Sequence, residues 1–458
     1  MKPALSLLLG LTWALGPVGQ ASGAPRTPVS EAQAEAAGGH WREAANRYER
    51  AAEGPPSPEG LKALIGAVDA CGRLGAFARA EGLATRAIAA AETLRDDRSR
   101  AAALTARARL RYRQQRFQEA ETLARRGLAA AEKAGDAPEV GLAALSLGEA
   151  LLEIDRAPEA AKVLERAVGV ARQIDPTSLG ERLQALALAH YYMGDPARAL
   201  ALCEEAVKLD REASRSAALV ERLSGLAVFH VIRGQRFDDA RALLDEALAL
   251  ARRLGRRDLE APVLQRVATL EAFSGRQEAA LRHQQAAFAI YRSLGMDTGA
   301  AQALADIGDL YKAWDRPVEA RRALTDALAA ETRLGRRFNQ AMALRRLAEL
   351  DSRAGEHDQA LARYEAALAI HQALGRTLWQ ALTHLAIGGA RAAKHDHPGA
   401  LAAYDKALAL ARQLGNHGLM ASCHEGAASV HSNRGRYDRA VALAERALAI
   451  HRRLGQDK

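Results

Sequence analysis

Residues 298–335 read TGAAQALADIGDLYKAWDRPVEARRALTDALAAETRLG. In the first half, Leu304, Ile307, Gly308 and Tyr311 recur three and four residues apart, the spacing of one helix face. Trp314-Asp315-Arg316-Pro317 breaks the pattern, and a second stripe follows through Ala320, Leu324, Ala327, Leu328 and Leu334. Two apolar stripes joined by a short break predict a helix hairpin, which cannot bury its apolar faces alone.

The chain repeats this unit. At an offset of 40, Leu-Gly pairs fall into register at Leu254-Gly255, Leu294-Gly295, Leu334-Gly335, Leu374-Gly375, Leu414-Gly415 and Leu454-Gly455. The punctuation agrees. Gly39, Gly75, Gly194, Gly234, Gly275, Gly355 and Gly435 stand where a first helix must stop. Pro158, Pro196, Pro317 and Pro398 fall in the first turn of a second helix, where a missing N–H costs nothing. Small residues hold fixed places: Ala80, Ala120, Ala160 and their successors to Ala440; Ala87, Gly127, Ala167 and theirs to Ala447; and, in first helices, Gly148, Ala187, Ala227, Ala268, Gly308, Ala348, Gly388 and Ala428. Small side chains let helix axes approach closely. The predicted hairpins span approximately 28–54, 57–95, 98–135, 138–175, 177–215, 216–255, 257–295, 297–335, 337–375, 377–415 and 417–455.

The spacing of Leu304, Ile307, Gly308 and Tyr311, then Ala320 and Ala327, resembles the tetratricopeptide repeat. The resemblance covers nearly the whole of 25–458, with two departures. The period is 40 rather than 34, and Leu-Gly replaces the proline that usually closes the second helix. This makes the chain similar to the long-repeat variety of kinesin light chains, cell-polarity adaptors and bacterial regulators. The resemblance implies an all-α fold, a right-handed superhelical α-solenoid of about eleven antiparallel helix hairpins. It also implies a concave groove, lined by first helices, that binds extended peptides or partner helices. Carried over by position, the groove candidates are Arg109, Tyr112, Arg113, Tyr191, Tyr192, Asp309, Lys312, Arg345, Glu349, Arg353, Glu425 and Asn433.

Composition fits this reading. The chain of 458 residues is 49% hydrophobic, only 4% aromatic, and rich in the best helix formers. Its formal charge is +9, and lysine occurs nine times, so 55 of the 64 basic residues are arginine. The charge is spread over every repeat with acidic residues between, which argues for a solvated helix surface and against nucleic acid as partner.

The N-terminus differs in character. Met1, Lys2 and Pro3 precede an apolar run from Ala4 to Leu15, followed by breakers and the small residues Ala21, Ser22, Gly23 and Ala24. This is the layout of a secretory signal peptide over 1–24, with cleavage near Ala21. It predicts a periplasmic or secreted protein, and a cytoplasmic one if the start lies elsewhere. The run is shorter than the roughly 20 apolar residues a membrane span needs, and no integral membrane segment is expected in the mature chain.

Catalytic and metal signatures are missing from the sequence: it contains no HExxH, phosphate loop, nucleophile elbow or CxxC. No catalytic residue, cofactor or metal is expected. His424 and His431 occupy packing positions and are expected to be core or half-buried; His395-Asp396-His397-Pro398 reads as a hairpin turn. Cys71, Cys203 and Cys423 are 132 and 220 residues apart, several repeats, too far for intramolecular disulfides, and are expected between helices. The last hairpin, with Val430, Val441, Leu443 and Leu448, is expected to expose part of its packing face, a route to self-association. Two functions follow: an exported scaffold or adaptor for other proteins or peptides, or a sensor array that passes a peptide or protein signal to a separate effector.

Overall fold

The computed structural model describes residues 27–234 and 236–453, the side chains of 232–234 excepted. The signal-peptide segment and the final Leu454-Gly455 lie outside these residues. The described residues form twenty-two α-helices and one 3-10 turn, Pro176–Ser178, with no strand among them. Paired in order, the helices make eleven hairpins. They are α1 (Pro28–Ala37) with α2 (Trp41–Ala51), α3 (Pro58–Leu74) with α4 (Phe77–Leu94), α5 (Asp97–Arg113) with α6 (Phe117–Ala134), and α7 (Ala137–Glu153) with α8 (Ala157–Ile174). Next come α9 (Leu179–Tyr192) with α10 (Pro196–Glu212), α11 (Ser216–Gly234) with α12 (Phe237–Arg253), and α13 (Arg257–Phe273) with α14 (Gln277–Leu294). The last four are α15 (Asp297–Ala313) with α16 (Pro317–Arg333), α17 (Arg337–Arg353) with α18 (His357–Ala373), α19 (Thr377–Ala393) with α20 (His397–Gln413), and α21 (His417–Asn433) with α22 (Tyr437–Arg453).

The turn chemistry sets these boundaries. Gly75 ends α3 at φ +80°, its N–H bonded back to the last turn, a left-handed conformation that glycine adopts without a Cβ penalty. Equivalent turns elsewhere place Gln115, Asp155, Asp315 and His395 at positive φ, so the repeat imposes the turn even where glycine is missing. Pro158, Pro196, Pro317 and Pro398 all sit in the first turn of a second helix. Pro262 is different, standing inside α13, and the repeat pattern had no place for it.

Every member of the three small-residue series is buried. A Cβ added at Gly148 would lie 2.4 Å from Leu164 Cγ on the partner helix of its hairpin. Gly148→Ala is therefore expected to lower stability by about 1–2 kcal/mol in chemical denaturation: overpacking outweighs the roughly 1 kcal/mol helix-propensity gain. A neutral or stabilising result would show that α7 and α8 can separate at no cost. The three cysteines are free and buried, as are His424 and His431. On α22, Tyr437, Val441 and Leu448 are exposed.

Successive hairpins are also stapled by charge. A residue of a second helix pairs with the residue thirty positions later in the next first helix: Glu81 with Arg111, Arg241 with Glu271, and Arg321 with Asp351. The downstream partner is buried each time, and the polarity reverses between the first pair and the other two.

The chain divides into two compact units, Met1–Leu310 and Tyr311–Lys458. Within the first, α1 touches α3, α3 touches α5, and so on through α13, so the first helices share one continuous inner wall.

Candidate ligand-binding interior of the first unit

The inner wall of the first unit closes on itself. Trp41 on α2 donates its indole N–H to Asp258 Oδ2 on α13 at 3.0 Å, across 217 residues of sequence. Arg256 clamps the same carboxylate through Nε and Nη2, both at 2.8 Å, and donates Nη1 to the Ala37 carbonyl. Gly39, at φ +82°, leaves room for this contact, since a Cβ there would lie 2.4 Å from Asp258 Oδ1. Arg42 places a guanidinium nitrogen over Gly295. Six hairpins therefore bring the seventh back against the first. Trp41, Arg256 and Asp258 are all buried, and Asp258 is held below the usual carboxylate range because Arg256 and Trp41 overcome the effect of its burial.

Inside this closed turn the wall is charged. Asp69 on α3 forms an ion pair with Arg109 at 2.9 Å and accepts a hydrogen bond from Arg113 at 2.9 Å, both on α5. Solvent still reaches the cluster: the Asp69, Arg109 and Arg113 side chains are 21%, 18% and 17% exposed. Arg73 lies over the Trp41 ring, 4.4 Å from its centroid, which links the cluster to the closing contact. Burial works to raise the Asp69 pKa, and Arg109 and Arg113 hold it below the usual carboxylate range instead. Burial pulls Arg73 down to about 10, helped by repulsion from Arg113. Tyr112 donates weakly to Glu153 at 3.4 Å. Farther along, Tyr191 meets Tyr192 and Phe229 edge to face, both with ring centroids 5.9 Å apart.

Carboxyl groups on the following helices respond to burial. Glu149 on α7 is pushed up to about 8, by burial first and then by repulsion from Glu181, against the pull of Arg109 and Arg113. Glu139 rises to about 7 through burial, and Glu221 is raised for the same reason. Glu149 is thus largely protonated at neutral pH, and its stabilising effect is full below the ordinary carboxylate pKa and lost as pH rises through about 8. Glu149→Gln, neutral at every pH, is expected to match the wild type near pH 5. Near pH 9 it should exceed the wild type by on the order of 4 kcal/mol. Parallel melting curves across that range would contradict the assignment.

Of the sequence candidates, Arg109, Tyr112, Arg113, Tyr191 and Tyr192 stand on this wall. Asp309 lies farther on, on α15. In the second unit, Lys312 and Arg345 both pair with Glu349, at 2.7 and 2.6 Å, Arg353 donates to the Lys312 carbonyl, and Arg345 lies over Trp379. Glu425 bonds His451 instead, and Asn433 is exposed at the end of α21, so neither joins that group. The sequence reading missed Asp69, Arg73, Glu149 and Glu221. The first three were findable: Asp69, Arg109 and Glu149 are successive at steps of 40, as are Arg73, Arg113 and Glu153. No repeat-based signal pointed to Trp41, Arg256 or Asp258, which act outside the phase.

The tetratricopeptide repeat model matches residues 99–173, 218–293, 339–412 and 379–453, and a second model of that repeat matches 180–213. No curated protein matches the chain. Among solved structures, it is similar to a signal-transduction ATPase of the STAND class with a tetratricopeptide repeat sensor from Pyrococcus horikoshii. That match has 14% identity and TM-score 0.53, covering 72% of this chain and 52% of the other. It is also similar to a Rap protein complexed with Competence and Sporulation Factor (13% identity, TM-score 0.52, 79% and 100% covered). The apo form of the quorum sensor NprR from B. thuringiensis is a third (14% identity, TM-score 0.50, 73% and 93% covered).

Proposed function

The chain belongs to the tetratricopeptide repeat family, and from that premise we propose that it is a non-catalytic binding protein whose peptide or partner segment lies along the inner wall of the first unit. One observation carries this reading: the wall closes into a turn whose interior is charged, solvent-reached and flanked by aromatic side chains. The Rap protein in its complex, the NprR quorum sensor and the sensor repeats of the STAND ATPase support a ligand-sensing use of such an array. A photo-crosslinker at Tyr192 should capture peptides selected from a random library on the full chain, whereas one at Arg125, exposed on α6, should not. Capture only at Arg125, or no retained peptide, would overturn the reading.

The layout of residues 1–24 supports an exported scaffold acting in the periplasm or outside the cell. The alternative is a regulatory sensor, cytosolic, acting on a separate effector. Cell fractionation with N-terminal sequencing separates them: an intact N-terminus in the cytosol removes the exported form.

A further inference from the structure

We infer that α22 is an interface for a second copy of this chain, pairing with the α22 of that copy, antiparallel and about a two-fold axis, through Tyr437, Val441, Ala444 and Leu448. The preceding hairpins show what this face receives. On α18, Leu361, Tyr364 and Leu368 pack with Ile387 and Ala390 of the next first helix, α19. On α20, Leu401 and Tyr404 pack with Val430 of α21, and Leu408 packs with Leu419 and Cys423 of the same helix. Val441, Ala444 and Leu448 hold these positions on α22 and are exposed, Val441 by 56% and Leu448 by 46%. Tyr437, one turn earlier, is exposed as well. Val441 and Leu448 stand two turns apart and so share one side of the helix. That side has the residues and the spacing that elsewhere in the second unit hold a helix.

The charges beside the stripe say which helix fits. Asp438, Glu445 and Arg452 follow one another at steps of seven along one flank, all three exposed, and none of them is held in an ion pair among the described residues. Setting Val441 against Leu448 of the second copy, and Leu448 against its Val441, puts the two-fold axis between Ala444 and Glu445. Asp438 lies three residues before Val441, and Arg452 lies four after Leu448. Asp438 therefore comes within one residue rise, about 1.5 Å, of level with Arg452 of the second copy, and symmetry forms the reverse pair. The surface is self-complementary, as an isologous interface requires. A parallel pair would instead set Asp438 against Asp438 and Arg452 against Arg452. Glu445 falls near the axis and faces its own copy, which weakens the association. One helix face is also small beside the about 1,200–2,000 Å² that stable complexes bury, so the dimer is a reversible one.

Sedimentation velocity of the full chain over a wide concentration range tests this pairing, and the result does not depend on where a peptide ligand lies. The expected behaviour is a concentration-dependent monomer–dimer equilibrium. Val441→Lys, at an exposed position that leaves the fold intact, should weaken the dimer at least about tenfold, because the two-fold axis counts the lost apolar contact twice. Asp438→Arg and Arg452→Asp should each weaken it several-fold, and the two together should restore the wild-type constant, since the swapped charges again face each other. Glu445→Gln should tighten the dimer by removing repulsion at the axis. A strict monomer at every concentration overturns the proposal, as does a dimer that Val441→Lys leaves unchanged. A double charge swap that associates no better than the single reversals overturns the antiparallel pairing, and with it this interface.

Discussion

Asp258→Ala is expected to open the closed turn of the first unit. The substitution removes the acceptor of the Trp41 indole N–H and both partners of the Arg256 clamp, leaving a buried guanidinium with only the Ala37 carbonyl. Removing one member of a buried, hydrogen-bonded charge pair costs about 3–5 kcal/mol. In a repeat array, neighbouring hairpins hold one another, and the contact across 217 residues is additional to that chain of interfaces. The cost should therefore appear as separation of the first and seventh hairpins more than as unfolding. Small-angle scattering is expected to give a larger radius of gyration for the variant, with helical circular dichroism nearly unchanged. Arg73 should lose its stacking partner as Trp41 swings out, so binding to the interior should weaken too. An unchanged radius would mean that hairpin-to-hairpin packing alone sets the curvature.

Asp351→Ala is expected to damage the second unit somewhat less and in a different way. The Asp351 side chain is 0% exposed and pairs with Arg321 at 2.5 Å and with Arg363. The two arginines are 35% and 31% exposed, so water can reach them once the carboxylate is gone. We place the loss at about 3 kcal/mol, the low end for a broken buried pair. Arg321→Ala should cost less, because Asp351 keeps Arg363 on its own hairpin. Hydrogen exchange read peptide by peptide would show whether α16 and α17 lose protection first. Equal losses for the two variants would show that the arginines, and not the buried carboxylate, carry the staple.

The candidate site was legible only where it followed the repeat. Arg109, Tyr112 and Arg113 were reached because their positions carry over from the family's first-helix face. Asp69 and Arg73 occupy the same positions one repeat earlier and could have been reached by the same step. Glu425 and Asn433 show the limit of that step, since equivalent positions in the last hairpin carry a pairing with His451 and an exposed side chain. A repeat position says which face a residue occupies, and nothing about what stands opposite.

By itself the sequence determined the hairpin, its phase and its boundaries. Those depend on interactions within about one repeat: apolar spacing, a left-handed turn, a proline in a first turn, and small residues where helices touch. The break at Trp314–Pro317 fell where α15 and α16 separate, and every small-residue position was buried. Only the tertiary structure decided where the array returns on itself and which charges meet. Curvature accumulates from small rotations at each interface, so six hairpins pass before Trp41 and Asp258 come together. The thirty-residue staples are of the same kind. Glu81–Arg111 and Arg321–Asp351 use opposite signs at one geometry, so no residue-type signature marks the position until the helices are packed.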